Sequence, residues 1–254
     1  MDLSARGSGM SAVSSAGVSP IYRRYGALVV LAAIGAIIGS LATSGGADAW
    51  HWLHWVCKPL ATLLIFSAVW RVAQPVSAVY RRRMLFAIAF CLFGDVLLML
   101  PKDLFVPGLL SFLIAHGWFI TTFSSDVRFA VRYGPWLACL AFGVGMAALL
   151  WPGVASPMRV PILVYVGVLA TMAGQALGRA SWLRAQGDER AASARLAGAG
   201  ALLFMLSDSL LAWDRFRAAL PWAALYILAT YYAALWLMAR SVERGSTVRT
   251  GGQG

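Results

Sequence analysis

Three charged residues lie inside long apolar runs: Lys58, Asp95 and Asp208. A charge at the centre of a bilayer costs about 2.5–3.5 kcal/mol on insertion scales and more by other estimates, so such residues are functional candidates by default. Two carboxyls that share a desolvated site can divide roles, one protonated as a general acid and one ionised. The same division drives acid–base cleavage at glycosidic bonds. A lysine beside them can balance the ionised carboxylate or bind a phosphate. His116, Tyr165, Thr171, Gln175, Ser207, Tyr226, Tyr231 and Tyr232 are milder polar candidates in the same kind of run, and the tyrosines and Gln175 also suit hydrogen bonds between helices. His51 and His54 are expected in a loop near the interface and receive no role. There is no Gly-x-Ser-x-Gly, and no His-Glu-x-x-His or glycine-rich phosphate loop. The histidines and aspartates share no metal-ligand spacing, so no metal and no cofactor is expected.

The elements that must position these groups follow from composition. The 254 residues are 60% hydrophobic and 12% charged, with mean hydropathy +0.73. Soluble domains carry about 25% charged residues, which excludes a plain soluble globule. Apolar runs fall at about 26–44, 55–72, 84–101, 104–124, 135–152, 160–178, 195–213 and 221–239. Each can cross a hydrocarbon core of about 30 Å as a helix. The fold class is therefore all-α, a polytopic transmembrane bundle of about eight helices, because a barrel would alternate polar and apolar positions. Residues 1–22 and 241–254 are expected to be disordered tails around a transmembrane domain at 23–240. Pro101-Lys102-Asp103 leaves room only for a tight hairpin between the third and fourth helices.

The net charge is +11. A basic total often signals nucleic acid, but here the arginines sit between runs. If the N-terminus is cytoplasmic, sixteen lysines and arginines face the cytoplasm and four face the other side. The positive-inside rule then predicts N-in and C-in, with no nucleic-acid partner. Trp50, Trp52, Trp55, Trp151, Trp213 and Trp222 suit an interfacial belt at the outer ends. On that topology Asp95, Asp208 and Lys58 lie about 9, 7.5 and 6 Å below one boundary at 1.5 Å per residue, whereas His116 lies deeper, about 18 Å along its helix. Three helices thus bring charges to one level, and a pocket opening to the non-cytoplasmic side is expected there. Gly35-x-x-x-Gly39, Gly174-x-x-x-Gly178 and Ala197-Gly-Ala-Gly-Ala201 allow close helix contact. Cys57, Cys91 and Cys139 read as small buried hydrophobes. Gly94-Asp95-Val-Leu-Leu98 is echoed by Ser207-Asp208-Ser-Leu-Leu211, which makes a duplicated four-helix unit of parallel topology one reading.

These segments carry a resemblance. Cys91-Leu-Phe-Gly-Asp95-Val-Leu-Leu-Met99, Gly108 to His116, and Gly200 to Ala212 with Arg215-Phe216 together resemble the YhhN family, which includes the animal lysoplasmalogenases. Lys58-Pro59 fits the same pattern, and the resemblance spans about residues 27–240. The family often has a tyrosine shortly after the histidine, where this chain has Trp118 and Phe119. The resemblance implies a multi-pass hydrolase of the vinyl ether bond of lysoplasmalogens or a related lysolipid. The products would be a fatty aldehyde and glycerophospho-ethanolamine or glycerophosphocholine. It also implies Asp95 and Asp208 as the catalytic pair, a lysophospholipid and membrane lipids as partners, and a bacterial inner membrane as the location. Lys58, His116, Ser207, Tyr165 and Gln175 are the expected substrate-binding residues. A proton-coupled transporter and a non-enzymatic lipid-binding bundle stay open beside it. A carrier would show a broken helix near mid-membrane, and a lipid-binding bundle would need no pair of aspartates.

Overall fold

The computed structural model describes residues 20–44 and 48–244. Eight α-helices fill them: α1 (Pro20–Ser44), α2 (His51–Trp70), α3 (Ala78–Met99), α4 (Phe105–Phe123), α5 (Tyr133–Leu150), α6 (Ser156–Ala185), α7 (Ala191–Phe216) and α8 (Ala223–Arg240). Seven are long and apolar enough to cross a membrane. The remaining one, α3, carries Arg81, Arg82, Arg83 and Asp95, yet it packs along α2 and α4 inside the same bundle. The chain is a multi-pass membrane protein of the all-α class.

The helix ends differ from the apolar runs where charges belong to the helix. α3 starts at Ala78, capped by the Ser77 hydroxyl, which accepts from the Tyr80 N–H at 3.0 Å. Arg81 and Arg83 then lie within the helix and donate to the carbonyls of Val72 and Thr121. α6 runs through Arg179 and Arg184 to Ala185, and its 30 residues span about 45 Å. α1 opens at Pro20, a residue suited to a first helical position, so residues 20–22 are helical where a tail is expected. Tyr22 donates to the Ala239 carbonyl at 2.6 Å. At the other end, Val76 N–H donates to Val242 O and Arg244 N–H to Gln74 O, which ties residues 241–244 to the α2–α3 loop. The rest of both expected tails lies outside the described residues.

Helices pair in sequence order, and small residues set the spacing. A Cβ on Gly200 would sit 2.7 Å from the Ala234 carbonyl, and one on Gly174 would sit 2.6 Å from the Trp136 Cα. Neither backbone could yield, so glycine is what lets α7 meet α8 and α6 meet α5. The hairpin at residues 100–104 holds α3 antiparallel to α4, with Ser111 donating to Phe90 O and Arg83 to Thr121 O. Across the bundle α8 packs on α2 and α4 packs on α6. Those are equivalent places in α1–α4 and α5–α8, but α1 also packs on α8 without matching α4–α5 packing, so the two halves are not packed alike. Cys91 and Cys139 are buried and Cys57 half-buried, all as free thiols.

Candidate active site

α2 offers Lys58 and Thr62 one turn apart, so both point the same way. Pro59 interrupts α2 beside them and cannot donate to the carbonyl of Trp55. Thr62 donates to Asp95 Oδ2 at 2.7 Å. Tyr231 of α8 donates to the same oxygen at 2.7 Å. Lys58 Nζ lies 3.8 Å from Asp95 Oδ1. Tyr232, the next residue of α8, donates to the Lys58 carbonyl at 3.1 Å. Asp95 is 2% exposed, so both of its oxygens are engaged by protein in a nearly dry setting. Lys58 is buried too and does not reach out to the interface.

Asp208 has a different surround. Tyr165 of α6 donates to its Oδ2 at 2.6 Å. His116 Nε2 is 3.0 Å from that tyrosine oxygen and 3.4 Å from Asp208 Oδ2. Since the Tyr165 proton points at Asp208, His116 Nε2 donates to Tyr165 in this arrangement. Both contacts fall on Oδ2, and among the described residues none reaches Oδ1. His116 is fully buried, and its Nδ1 has no protein partner among them.

Aromatic packing joins the two halves. Phe204, one turn before Asp208, meets His116 edge-on at 4.8 Å and Tyr231 edge-on at 5.5 Å. Phe112 of α4 completes the cluster against both Phe204 and Tyr231. It reaches α3 because position 94 is glycine: a Cβ there would lie 2.6 Å from the Phe112 ring. The residue before Asp208 is Ser207, which donates to the Ile227 carbonyl at 3.0 Å. The two echoed segments therefore each fasten their aspartate helix to the next helix, one by a ring over glycine and one by a hydroxyl.

Asp95, Asp208, Lys58 and Ser207 all border one cavity of about 530 Å³, a size usual for a small-molecule site. Its mouth is at the α3–α4 turn, where Asp103 takes a 2.7 Å bond from Arg215. That guanidinium also lies 5.1 Å from the Phe105 ring centre. Tyr165 and His116 do not border this cavity; both contact Asp208. Gln175 is not brought to the cavity. Its amide accepts from Ala130 N–H at 2.8 Å and donates to the carbonyls of Phe123 and Arg128, at the opposite end of the bundle. It secures a loop in which Ala130 has a positive φ of 51°. Thr62 and the His54 and Ser40 lining of the cavity received no role from sequence. Tyr231, one of the milder candidates, does border the cavity and holds Asp95. Among the described residues no three His, Cys, Asp or Glu side chains gather as a metal site.

The YhhN family profile matches residues 53–242, which hold every side chain of this site except Ser40. The chain is 32% identical over 203 residues to lysoplasmalogenase TMEM86B of Homo sapiens, covering 80% of this chain and 81% of that protein. It is 29% identical over 187 residues to lysoplasmalogenase TMEM86A of Homo sapiens, covering 73% of this chain and 75% of that protein. It is 25% identical over 191 residues to the uncharacterized membrane protein YhhN of Escherichia coli O6:H1, covering 75% of this chain and 88% of that protein. No solved structure gives a significant match.

Proposed function

The chain belongs to the YhhN family, and we propose that it is an integral-membrane hydrolase that cleaves the vinyl ether bond of a lysoplasmalogen or a related lysolipid. The relatives named lysoplasmalogenase supply the substrate class. The observation that carries the chemistry is that two intramembrane carboxyls border one cavity with unlike partners.

Vinyl ether hydrolysis starts with proton transfer to the β-carbon. The carbon attached to oxygen becomes an oxocarbenium ion. Water adds there and gives up a proton, and the resulting hemiacetal collapses to an aldehyde and an alcohol. One water is consumed, and the proton it releases replaces the one spent on carbon. The slow step needs an acid in contact with carbon and a negative charge near the cation.

Asp208 fits the acid. An acid that protonates carbon needs an oxygen free of protein partners, and among the described residues none engages Oδ1 of Asp208. The Tyr165 bond to Oδ2 fixes the carboxyl plane, and His116 fixes the tyrosine. Asp95 fits the anion. Lys58 supplies its counter-charge, while the Thr62 and Tyr231 hydroxyls hold it in place. Preorganised charge of this kind is often the largest single term in catalysis. The glycerophosphate end lies in the polar cavity, near Lys58 and the Asp103–Arg215 mouth. With the N-terminus in the cytoplasm, that mouth faces the non-cytoplasmic side of a bacterial inner membrane.

The test is turnover of defined lipids by the purified protein in liposomes. The proposal expects fatty aldehyde and a water-soluble glycerophospho head group from a lysoplasmalogen, and none from the saturated ether analogue. Equal release of fatty acid from ester lysolipids, with no aldehyde, would overturn it.

A further inference from the structure

Asp208 borders a second space besides the polar cavity. It is a narrow slot of about 70 Å³ between α4, α5, α6 and α7. Leu109, Met146, Leu150, Ile162, Val166 and Ala212 are among the apolar residues of its wall. The polar residues that line it are Asp208, Tyr165 and Ser209, whose hydroxyl is already given to the Met205 carbonyl at 2.7 Å. Phe105, Asp208 and Leu211 line both spaces and form the partition between them. The Phe105 ring is held there by Phe216, edge-on at 5.7 Å, and by the Arg215 guanidinium.

The slot reaches the outer face of the bundle at Phe142. α5 packs along α6 and only lightly on α7. The α5 residues that face the slot include Gly143 and Ala147, which leave it open, and Phe142 at its rim is 44% exposed. A Cβ at Gly143 would already press on Val166 at 2.8 Å, so α5 sits as close to α6 as a backbone can. The gap therefore lies away from α6, where α5 faces α4 and α7.

We infer that this slot is the subsite for the first carbons of the substrate hydrocarbon chain, and that the chain leaves it past α5, so the lipid reaches Asp208 sideways from the bilayer. The inference rests on the lysolipid reading above and adds where the chain lies. The occupant follows from continuity. A polar chamber and an apolar slot meet at one carboxyl, and a lysolipid with a vinyl ether has its reactive double bond where its polar and apolar halves join. Lipid tails are as apolar as the slot wall, so moving the chain inward adds little affinity. The slot instead fixes which carbon lies against Asp208. Changes to its wall should therefore act on kcat more than on KM.

The experiment uses the full chain in liposomes with a saturated 1-alkyl lysophosphatidylethanolamine that carries a diazirine in the proximal part of its chain. This probe has no vinyl ether and is not cleaved. Photolabelled peptides are mapped by mass spectrometry. Label is expected within residues 142–150, 162–170 and 205–212. Ala212→Phe, which fills the slot, should cut that label by at least tenfold, and Met146→Trp, at the half-exposed rim, should do the same if Ala212→Phe folds poorly. Label spread evenly over lipid-facing helices, no label in these segments, or label unchanged in both folded variants overturns the inference. The outcomes separate the two readings. Slot labelling by a protein that releases no aldehyde from a lysoplasmalogen leaves the chain subsite standing and removes the hydrolase. Aldehyde release with no slot labelling does the reverse.

Discussion

Asp95 and Asp208 border the same cavity, and each accepts a tyrosine hydroxyl from a helix outside its own hairpin, Tyr231 of α8 and Tyr165 of α6. Asp95 adds the Thr62 hydroxyl and the Lys58 ammonium, whereas the contacts of Asp208 leave one oxygen free among the described residues. That asymmetry is the basis for giving the two carboxyls different work.

Tyr165→Phe should lower kcat with little change in KM. A hydrogen bond to a charged group is worth about 1.5–3 kcal/mol, which corresponds to a roughly 10–100-fold loss. His116→Phe keeps an aromatic ring against Phe204 and should cost less, since its Nε2 lies nearer the Tyr165 oxygen, at 3.0 Å, than Asp208 Oδ2, at 3.4 Å. The double variant should be no worse than Tyr165→Phe alone. A double-mutant cycle on kcat checks this, and simple additivity of the two effects would separate His116 from Tyr165.

Lys58→Met should destabilise the fold by about 3–5 kcal/mol, because it leaves a carboxylate buried beside an apolar side chain. Lys58→Met combined with Asp95→Asn should regain most of the lost thermal stability and none of the activity. Unfolding in detergent, followed by tryptophan fluorescence, reads the first effect, and aldehyde release reads the second.

Gln175→Leu should reduce stability and leave KM unchanged. It strands the Ala130 N–H and the Phe123 and Arg128 carbonyls, at about 1–3 kcal/mol for an unsatisfied buried group. Thermal unfolding and a substrate titration on the same preparation test both halves of the statement.

Asp188, in the α6–α7 loop, has its carboxyl pulled down from an ordinary value of 3.8 to about 2 by hydrogen bonds from Arg190. A depressed carboxyl stabilises the fold above its unfolded value and loses that contribution as the pH falls toward about 2. The pair is solvent-screened, so Asp188→Asn should cost about 0.2–1 kcal/mol at neutral pH. The gap between variant and wild type should shrink below pH 3.8 and close near the lowered value. Denaturant titrations at several pH values follow it.

The bundle and its charged centre were legible in the sequence because charge inside an apolar run is rare and costly. Lys58, Asp95 and Asp208 stood out on that ground, and helical rise placed them at one level. Thr62 and Tyr231 gave no such signal as carboxyl ligands, since hydroxyls are common in apolar helices and the helix they face is a tertiary fact. Gln175 misled for the same reason: an amide in an apolar run reads as a site residue, yet here it serves backbone groups of a loop. Arg179 read as loop but is fully buried in α6, where Asp126 takes both of its donated bonds at 2.8 and 2.7 Å. The slot beside Asp208 left no mark, because the side chains that wall it are those of any packed helix.

The most direct test replaces each carboxyl by its amide. Asp95→Asn and Asp208→Asn keep shape but can neither donate the acidic proton nor carry the charge. Purified in detergent, with unfolding transitions compared to wild type to establish that they fold, each should release no measurable aldehyde from a lysoplasmalogen that the wild type cleaves. Aldehyde release at near wild-type rate by either folded variant would contradict the two-carboxyl account.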